Sequence, residues 1–189
     1  MSDAAALRRL LLERSVRRGD FVLASGQRST YYIDCRPTTM SAEGQVLIGR
    51  LGLAAFEAAG WRPRAIGGLT MGADPVAYAI AAASWESGTP IDAFSVRKEA
   101  KGHGTGRLIE GNFQAGDLVV VVEDVITSGG SAERAISAIN EAGGRVLGVL
   151  AVVDREQGGR EHLAQLGHKV VSVTTTTELG LVPSPASTS

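Results

Sequence analysis

Cysteine and aromatic residues are scarce in this sequence. Cys35 is the only cysteine among 189 residues, and aromatic residues make up 5% of the chain. A single cysteine excludes an intrachain disulfide, and no cysteine and histidine residues have the spacing of a zinc site. The fold must therefore rest on an ordinary apolar core, and we expect a protein of the reducing cytoplasm.

The sequence also lacks an excess of one charge and a long apolar run. Its 19 lysine and arginine residues nearly balance 20 aspartate and glutamate residues, which gives a formal net charge of -1. Nucleic-acid-binding proteins usually show a clear basic excess. No apolar run reaches the roughly 18 residues that cross a membrane. We therefore expect neither a nucleic-acid partner nor a membrane partner.

Strand and helix patterns alternate along most of the chain. A repeated β-α order requires a mostly parallel sheet with right-handed crossovers and helices on both faces, so the predicted class is α/β. Residues 1–182 suffice for one domain, and the proline-interrupted residues 183–189 are predicted to be a flexible tail. The predicted helices are 3–17, 42–59, 75–85, 132–140 and 160–166; the predicted strands are 21–23, 31–34, 65–69, 91–96, 119–122, 146–153 and 169–176.

One strand, loop and helix carry the clearest chemical pattern. The valine run 119–122 predicts a buried strand that ends in Glu123 and Asp124, and the hydroxyl and glycine residues 127–131 lead into a helix. Free backbone N–H groups and the helix dipole favour a phosphate there. The two acids suit a ribose diol, or a divalent metal that is shared with the ligand. The pattern indicates a sugar phosphate, although an ordinary α/β crossover can also carry Asp and Gly.

Residues 97–107 contain four cations, one histidine and three glycines at alternate positions. Such glycines lower the cost of changing backbone angles, as a closing lid needs. The segment can be interpreted as a mobile cationic arm that neutralises a polyphosphate, or as a solvated surface hairpin whose charges maintain solubility.

Several of these motifs resemble one enzyme family. Glu-Asp-Val-Ile-Thr-Ser-Gly-Gly-Ser at 123–131 resembles the phosphoribosyl pyrophosphate (PRPP) signature of type I phosphoribosyltransferases. Arg-Lys-Glu-Ala-Lys-Gly-His-Gly at 97–104 is similar to the catalytic loop of orotate phosphoribosyltransferases. The segments 152–159, 21–26 and 29–32 are similar to further parts of that family. The resemblance implies a type I phosphoribosyltransferase fold, with a central sheet flanked by helices and a small hood formed largely by residues 1–40.

The resemblance also implies a reaction. Orotate and PRPP would give orotidine 5′-monophosphate and pyrophosphate in pyrimidine nucleotide synthesis, with Mg²⁺ as cofactor. The metal would be held mainly by PRPP and water, with no direct protein ligand expected. The family also implies a homodimer in which the cationic loop reaches the active site of the neighbouring subunit.

The resemblance assigns residues to three roles. The catalytic residues would be Lys101, His103 and Asp124. Orotate would contact Thr127, Arg155, Tyr31 and Tyr32, although packing alone could explain both tyrosines, and a surface position could explain Arg155. PRPP would contact Arg97, Lys98, Lys101, His103, Glu123, Asp124, Val125, Ile126, Thr127, Ser128, Gly129, Gly130 and Ser131.

The sequence departs from the family pattern at two places. Many members have a lysine where this chain has Ala24, and many have a lysine in or after the loop that here comprises residues 70–74. Charge neutralisation of pyrophosphate must then rest more on the lid and the metal. Two other functions stay open: a phosphoribosyltransferase for purines or another base, and a non-catalytic regulator that senses PRPP.

Overall fold

The computed structural model describes residues 1–22, 28–99 and 108–181. Within them, the hood consists of helix α1 (Asp3–Arg14), strands β1 (Val16–Val22) and β2 (Arg28–Ile33), and the short helix α2 (Arg36–Thr39). The remainder continues as α3 (Ala42–Ala59), β3 (Ala65–Leu69), α4 (Ala73–Glu86), β4 (Asp92–Val96), β5 (Ile109–Gly111), β6 (Leu118–Ile126), α5 (Gly130–Glu141), β7 (Arg145–Asp154), α6 (Gly159–Gln165) and β8 (Val170–Thr175).

The described strands of the main sheet have the order β5-β4-β3-β6-β7-β8. Parallel ladders join β3 to β4 and β6, β6 to β7, and β7 to β8. The edge strand β5 pairs antiparallel with β4. This arrangement confirms the predicted α/β class and its mostly parallel sheet. Strand β6 is an interior strand between β3 and β7, so the carboxyl ends of the three strands are neighbours.

Apolar layers cover both faces of the sheet, and the valine run of β6 contributes to each. Val120 and Val122 pack in the layer that also contains residues of α1, α3 and α4. Val119 and Val121 face the opposite layer, which contains residues of α5 and α6. Successive side chains of a strand point to opposite faces, so one continuous apolar run serves two layers.

Helix α3 forms where the sequence predicts it, because both of its ends are specified locally. The Ser41 hydroxyl accepts a hydrogen bond from the Gly44 N–H at 3.1 Å, which caps the first turn. Gly60 ends the helix at φ 73°, in the left-handed region that glycine adopts at low cost.

Three predictions about the local structure were wrong. The first helix ends at Arg14 rather than at residue 17, and β1 starts at Val16, well before residue 21. Pairing with β2, in which Val16 lies opposite Ile33, outweighs the helical pattern there. Strand β5 lies in a region for which no strand was predicted. It is three residues long and depends on tertiary pairing with β4.

None of the helices in the described part of the chain combines the length and the apolar character that a membrane span requires.

Candidate active site

A cleft of about 480 Å³ opens at the carboxyl ends of β3, β6 and β7, beneath the hood. Ligands of parallel α/β sheets bind at this edge, where the loops after the strands converge. The lining is mostly polar and charged. It comprises Tyr32, Ile33, Asp34, Cys35, Arg36, Leu69, Thr70, Met71, Gly72, Lys98, Glu123, Asp124, Val125, Thr127, Ser131, Arg134 and Arg155.

A smaller cavity of about 80 Å³ lies next to the cleft, between the end of β6 and the first turn of α5. Gly129 precedes the helix at φ 85°, and no side chain caps this helix end in the described structure. The first N–H groups of an α-helix have no partner within the helix, so those of α5 are free to meet an anion. The PRPP residues predicted from 125 to 131 therefore line one compact cavity whose free N–H groups suit an anion.

Glu123 and Asp124 lie at this edge inside β6, which continues to Ile126. Glu123 is 5% exposed, and its Oε1 has no hydrogen-bond partner among the described residues. Burial, reinforced by the charge of Asp124, raises the pKa of Glu123 to about 8. Burial also raises the pKa of Asp124, and the Val125 N–H, 2.9 Å from Oδ1, partly opposes that shift. A buried carboxyl group without a partner suits a ligand that supplies hydroxyl groups.

Arg155 follows β7 and is held by its backbone. Its N–H donates to the Ile126 carbonyl at 3.0 Å, and its carbonyl accepts from the Thr176 hydroxyl at 3.1 Å. Its guanidinium carbon lies 5.5 Å from the centroid of the Tyr31 ring. The side chain is nonetheless unsatisfied: the residue is 7% exposed, and Nε and one terminal nitrogen have no partner in the described structure. Such a group is ready to meet an anionic ligand.

The two predicted aromatic residues have different positions. Tyr31 is 2% exposed and lies beneath Arg155, whereas Tyr32 is 41% exposed and lines the cleft. Tyr32 also contacts Phe21 of the hood, with ring centroids 5.9 Å apart. The structure thus places the Tyr31 ring beneath Arg155 and the Tyr32 ring at the surface of the cleft.

The sequence of residues 45–174 matches the phosphoribosyl transferase domain. The chain is 43% identical over 185 residues to the orotate phosphoribosyltransferase of Rhodopirellula baltica, with 96% of each chain covered. It is also similar to the crystal structure of Mycobacterium tuberculosis orotate phosphoribosyltransferase in complex with Fe(III) dicitrate: the TM-score is 0.84 at 46% identity, covering 95% of this chain and 100% of that one. The complex of the M. tuberculosis enzyme with PRPP gives a TM-score of 0.81 at 42% identity, again covering 95% and 100%.

The chain belongs to the orotate phosphoribosyltransferase family. This finding confirms the resemblance stated from the motifs and the type I phosphoribosyltransferase fold. Members of the family are phosphoribosyltransferases, that is, pentosyl-transferring enzymes.

The structure describes part of the cationic segment that this orotate phosphoribosyltransferase family member was predicted to use. Lys98 lines the cleft. Arg97 lines a neighbouring groove and lies 3.6 Å from the Glu110 carboxylate. Lys101, His103 and Ala24 lie outside the described residues.

Sequence reasoning missed several residues that line the cleft. Asp34 and Arg36 enter it from the hood, Thr70, Met71 and Gly72 from the end of β3, and Arg134 from α5. The 70–74 loop was considered only for its lack of lysine. The two-residue spacing of Asp34 and Arg36 directly after a strand was the available signal for that pair.

Gly72 shows how tightly the loop after β3 is packed against the acids of β6. A Cβ at this position would lie 2.4 Å from Oδ1 of Asp124. A methyl group there would displace either the loop or the carboxylate. Glycine at position 72 therefore allows the backbone after β3 to lie directly against the Asp124 carboxylate of β6.

The described residues contain no group of three or more histidine, cysteine, aspartate or glutamate side chains placed to hold a metal ion. Glu123 and Asp124 are the neighbouring pair of acids in the cleft. A metal at this site would need most of its ligands from the substrate and water.

Proposed function

We propose that this protein transfers the 5-phosphoribosyl group of PRPP to N1 of orotate, giving orotidine 5′-monophosphate and pyrophosphate in de novo pyrimidine synthesis. The observation that carries the choice of base is the buried, unpaired guanidinium of Arg155 beside the PRPP loop. Orotate presents a carboxylate and carbonyl oxygens in one plane, which a guanidinium can meet with two hydrogen bonds. Adenine and hypoxanthine have no carboxylate.

The order of the strand ends supports one orientation of the two substrates. The 5′-phosphate would occupy the cavity of residues 127–131, and the ribose hydroxyls would meet Glu123 and Asp124. Orotate would lie towards Arg155 on the β7 side, between Thr127 and Tyr32. The diphosphate would then point to the opposite side of β6, towards the loop after β3 and Lys98.

The proposed chemistry requires charge stabilisation more than covalent participation. As the anomeric bond breaks, positive charge develops on the ribose and negative charge on the departing pyrophosphate. The Asp124 carboxylate would face the former, and Lys98, Lys101 and His103 the latter. A protonated Glu123 can donate to one ribose hydroxyl while Asp124 accepts from another, so the pair would fix the sugar.

A Mg²⁺ ion bound to PRPP would supply further neutralisation of the diphosphate. Glu123 and Asp124 would lie beside this metal, and the substrate and water would hold it. The proposal includes a homodimer in the cytoplasm, in which Lys101 and His103 complete the partner's site.

Following orotate absorbance with purified protein, PRPP and Mg²⁺ tests this function, with uracil, hypoxanthine and adenine as competing bases. We expect loss of orotate alone, and only with Mg²⁺ present. Consumption of another base would leave the PRPP site in place and remove the role of Arg155. Binding of PRPP without reaction of any base would make the protein a PRPP-sensing regulator.

Subunit mixing tests the shared site. Lys101→Ala and Asp124→Asn subunits should each be inactive, and their mixture should recover activity because one site of each heterodimer contains both native residues. Stable heterodimers without recovered activity would show that each subunit works alone.

A further inference from the structure

Asp34 and Arg36 form an ion pair with two side-chain hydrogen bonds at the rim of the cleft. Nε of Arg36 donates to Oδ1 of Asp34 at 2.8 Å, and a terminal nitrogen donates to Oδ2 at 2.9 Å. The Arg36 backbone N–H also donates to Oδ1, at 3.1 Å. The Asp34 N–H is in turn bound to the Ser15 carbonyl at 3.0 Å. Asp34 thus holds one edge of the guanidinium before any ligand arrives, and the other terminal nitrogen, Nη1, makes no hydrogen bond within the described structure.

The pair lines the cleft together with the loop after β3. Arg36 opens α2, which packs against α3 and α4. The Gln45 amide of α3 connects these helices, because it donates to the Thr39 carbonyl at the end of α2 and, at 2.9 Å, to the Pro75 carbonyl in the first turn of α4. Helix α4 follows directly from the loop that contains Thr70 and Gly72. Arg36 and this loop line the same cleft.

The charge of Arg36 reaches the reacting centre. It opposes the rise in the pKa of Asp124 that burial produces, whereas Asp34 adds to that rise. The hydrogen bond to Asp34 raises the pKa of Arg36, so the guanidinium keeps its charge. A cation close to Asp124 lies near the point where the leaving group of PRPP would separate.

The remaining cations of the cleft do not fill this position. Within the described residues these are Lys98, Arg134 and Arg155. Arg155 is on the base side, Arg134 comes from α5, and Lys98 enters from the end of β4. The sequence has no lysine in the loop 70–74. A cation that serves the diphosphate from the hood side must then come from another element.

We propose that Arg36, held in position by Asp34, binds the diphosphate of PRPP and the pyrophosphate product. This inference rests on the proposed function only for the identity of the ligand. Arg36 is the binding group and Asp34 is a positioning residue. Two nitrogens of the guanidinium hold Asp34, and the free edge faces the ligand.

Calorimetric titration of the purified protein separates the diphosphate from the rest of the substrate. The probes are PRPP and pyrophosphate, each with Mg²⁺, and ribose 5-phosphate, which has no diphosphate. In Arg36→Gln we expect the affinity for PRPP and pyrophosphate to fall about 10- to 100-fold, the usual effect of losing a charged hydrogen bond. The affinity for ribose 5-phosphate should not change.

Arg64→Gln is the matched control. Arg64 is also an exposed arginine paired with an aspartate, Asp92, but both lie at the amino ends of strands, at the opposite edge of the sheet. This variant should bind all three probes as the original protein does. Arg36→Lys should bind the diphosphate probes more tightly than Arg36→Gln but less tightly than the original protein, because lysine restores the charge without the paired donors of a guanidinium.

The role of Asp34 has its own signature. Asp34→Asn should raise the KM for PRPP and leave the KM for orotate unchanged, and it should add little in the background of Arg36→Gln, because the two residues act as a unit. Additive losses would remove the positioning role.

Equal losses for ribose 5-phosphate and pyrophosphate, or no loss for either, would overturn the proposal for Arg36. The binding experiments contain no base. A protein that fails to consume orotate but loses pyrophosphate affinity in Arg36→Gln would contradict the proposed reaction and support this inference.

Discussion

Two arginines near the end of β7 have opposite environments. Arg160 is well paired: Nε donates to Asp154 at 3.0 Å, and the terminal nitrogens donate to the Val170 carbonyl at 2.9 Å and the Ser172 hydroxyl at 2.8 Å. Arg155 is more deeply buried, yet two of its nitrogens lack partners in the described structure. A cation that is bonded to its neighbours supports the fold, and a buried cation that is left unbonded is kept for a ligand.

This difference implies that two arginines only five residues apart have separate tasks: Arg160 contributes to stability and Arg155 to activity. Leaving a buried donor unsatisfied costs roughly 1–3 kcal/mol, and the ligand recovers that cost when it binds. Natural active sites commonly accept such costs.

The largest effect is expected at the unpaired arginine. Arg155→Gln should lower kcat/KM for orotate by about 100-fold, because two charge-assisted hydrogen bonds are lost. Its thermal midpoint should stay equal or rise, since an uncompensated buried charge is removed. Steady-state kinetics and thermal denaturation measure both. A lower thermal midpoint with unchanged kcat/KM for orotate would show that Arg155 stabilises the fold and does not bind the ligand.

The buried acid Glu123 extends the comparison to an unpaired group of opposite sign. Its pKa of about 8 in the folded protein lies above the ordinary glutamate value, so the folded state favours the protonated form. The resulting penalty is absent at low pH and grows as the pH rises from the ordinary value to about 8. From pH 5 to pH 8 the ligand-free protein should lose about 3–4 kcal/mol of unfolding free energy relative to Glu123→Gln.

Urea denaturation at several pH values, with the variant run in parallel, isolates this contribution from other titrating groups. Parallel pH profiles for the two proteins would mean that Glu123 is ionised at neutral pH in the free enzyme.

The paired arginine should behave in the opposite way to Arg155. Arg160→Gln removes three hydrogen bonds and leaves the buried Asp154 carboxylate without its cation, so the unfolding free energy should fall by about 1–2 kcal/mol. The half-exposed position of the arginine limits the loss. The KM for orotate should be unchanged, because the Arg155 backbone has separate anchors at Ile126 and Thr176. Loss of orotate binding in this variant would show that the two arginines are coupled.

The sequence predicted the β-α order because the apolar pattern within each segment is enough to specify its secondary structure. Examples are the helical spacing of 42–59 and the valine run 119–122. It also indicated the anion site, since the loop 127–131 is local. Strand β1 and strand β5 were missed because each depends on a partner strand, and the edges of short strands carry weak patterns.

The rim of the cleft was harder to predict for the same reason. The pair Asp34 and Arg36 belongs to the hood, and the proximity of Gly72 to Asp124 arises only when the ends of β3 and β6 come together. The similarity of residues 29–32 to the family could not show which of Tyr31 and Tyr32 is buried. The alternation of side chains along β2 decides that. Lys101 and His103 stay predictions from the resemblance.

The interior position of β6 also has a consequence for the order of folding. Its partner β7 is the next strand along the chain, reached through α5, whereas its other partner, β3, is separated from it by α4, β4 and β5. Loop closure costs more entropy as the connecting chain grows, so the β6-α5-β7 unit should assemble before β3 joins it. Conservative truncations such as Ile139→Val in α5 should then slow refolding, whereas Ile66→Val in β3 should mainly speed unfolding in the same stopped-flow measurements. The reverse assignment would place the nucleus on the other side of the sheet. The strand that presents the acids to the substrate would thus be among the first parts of the protein to become ordered.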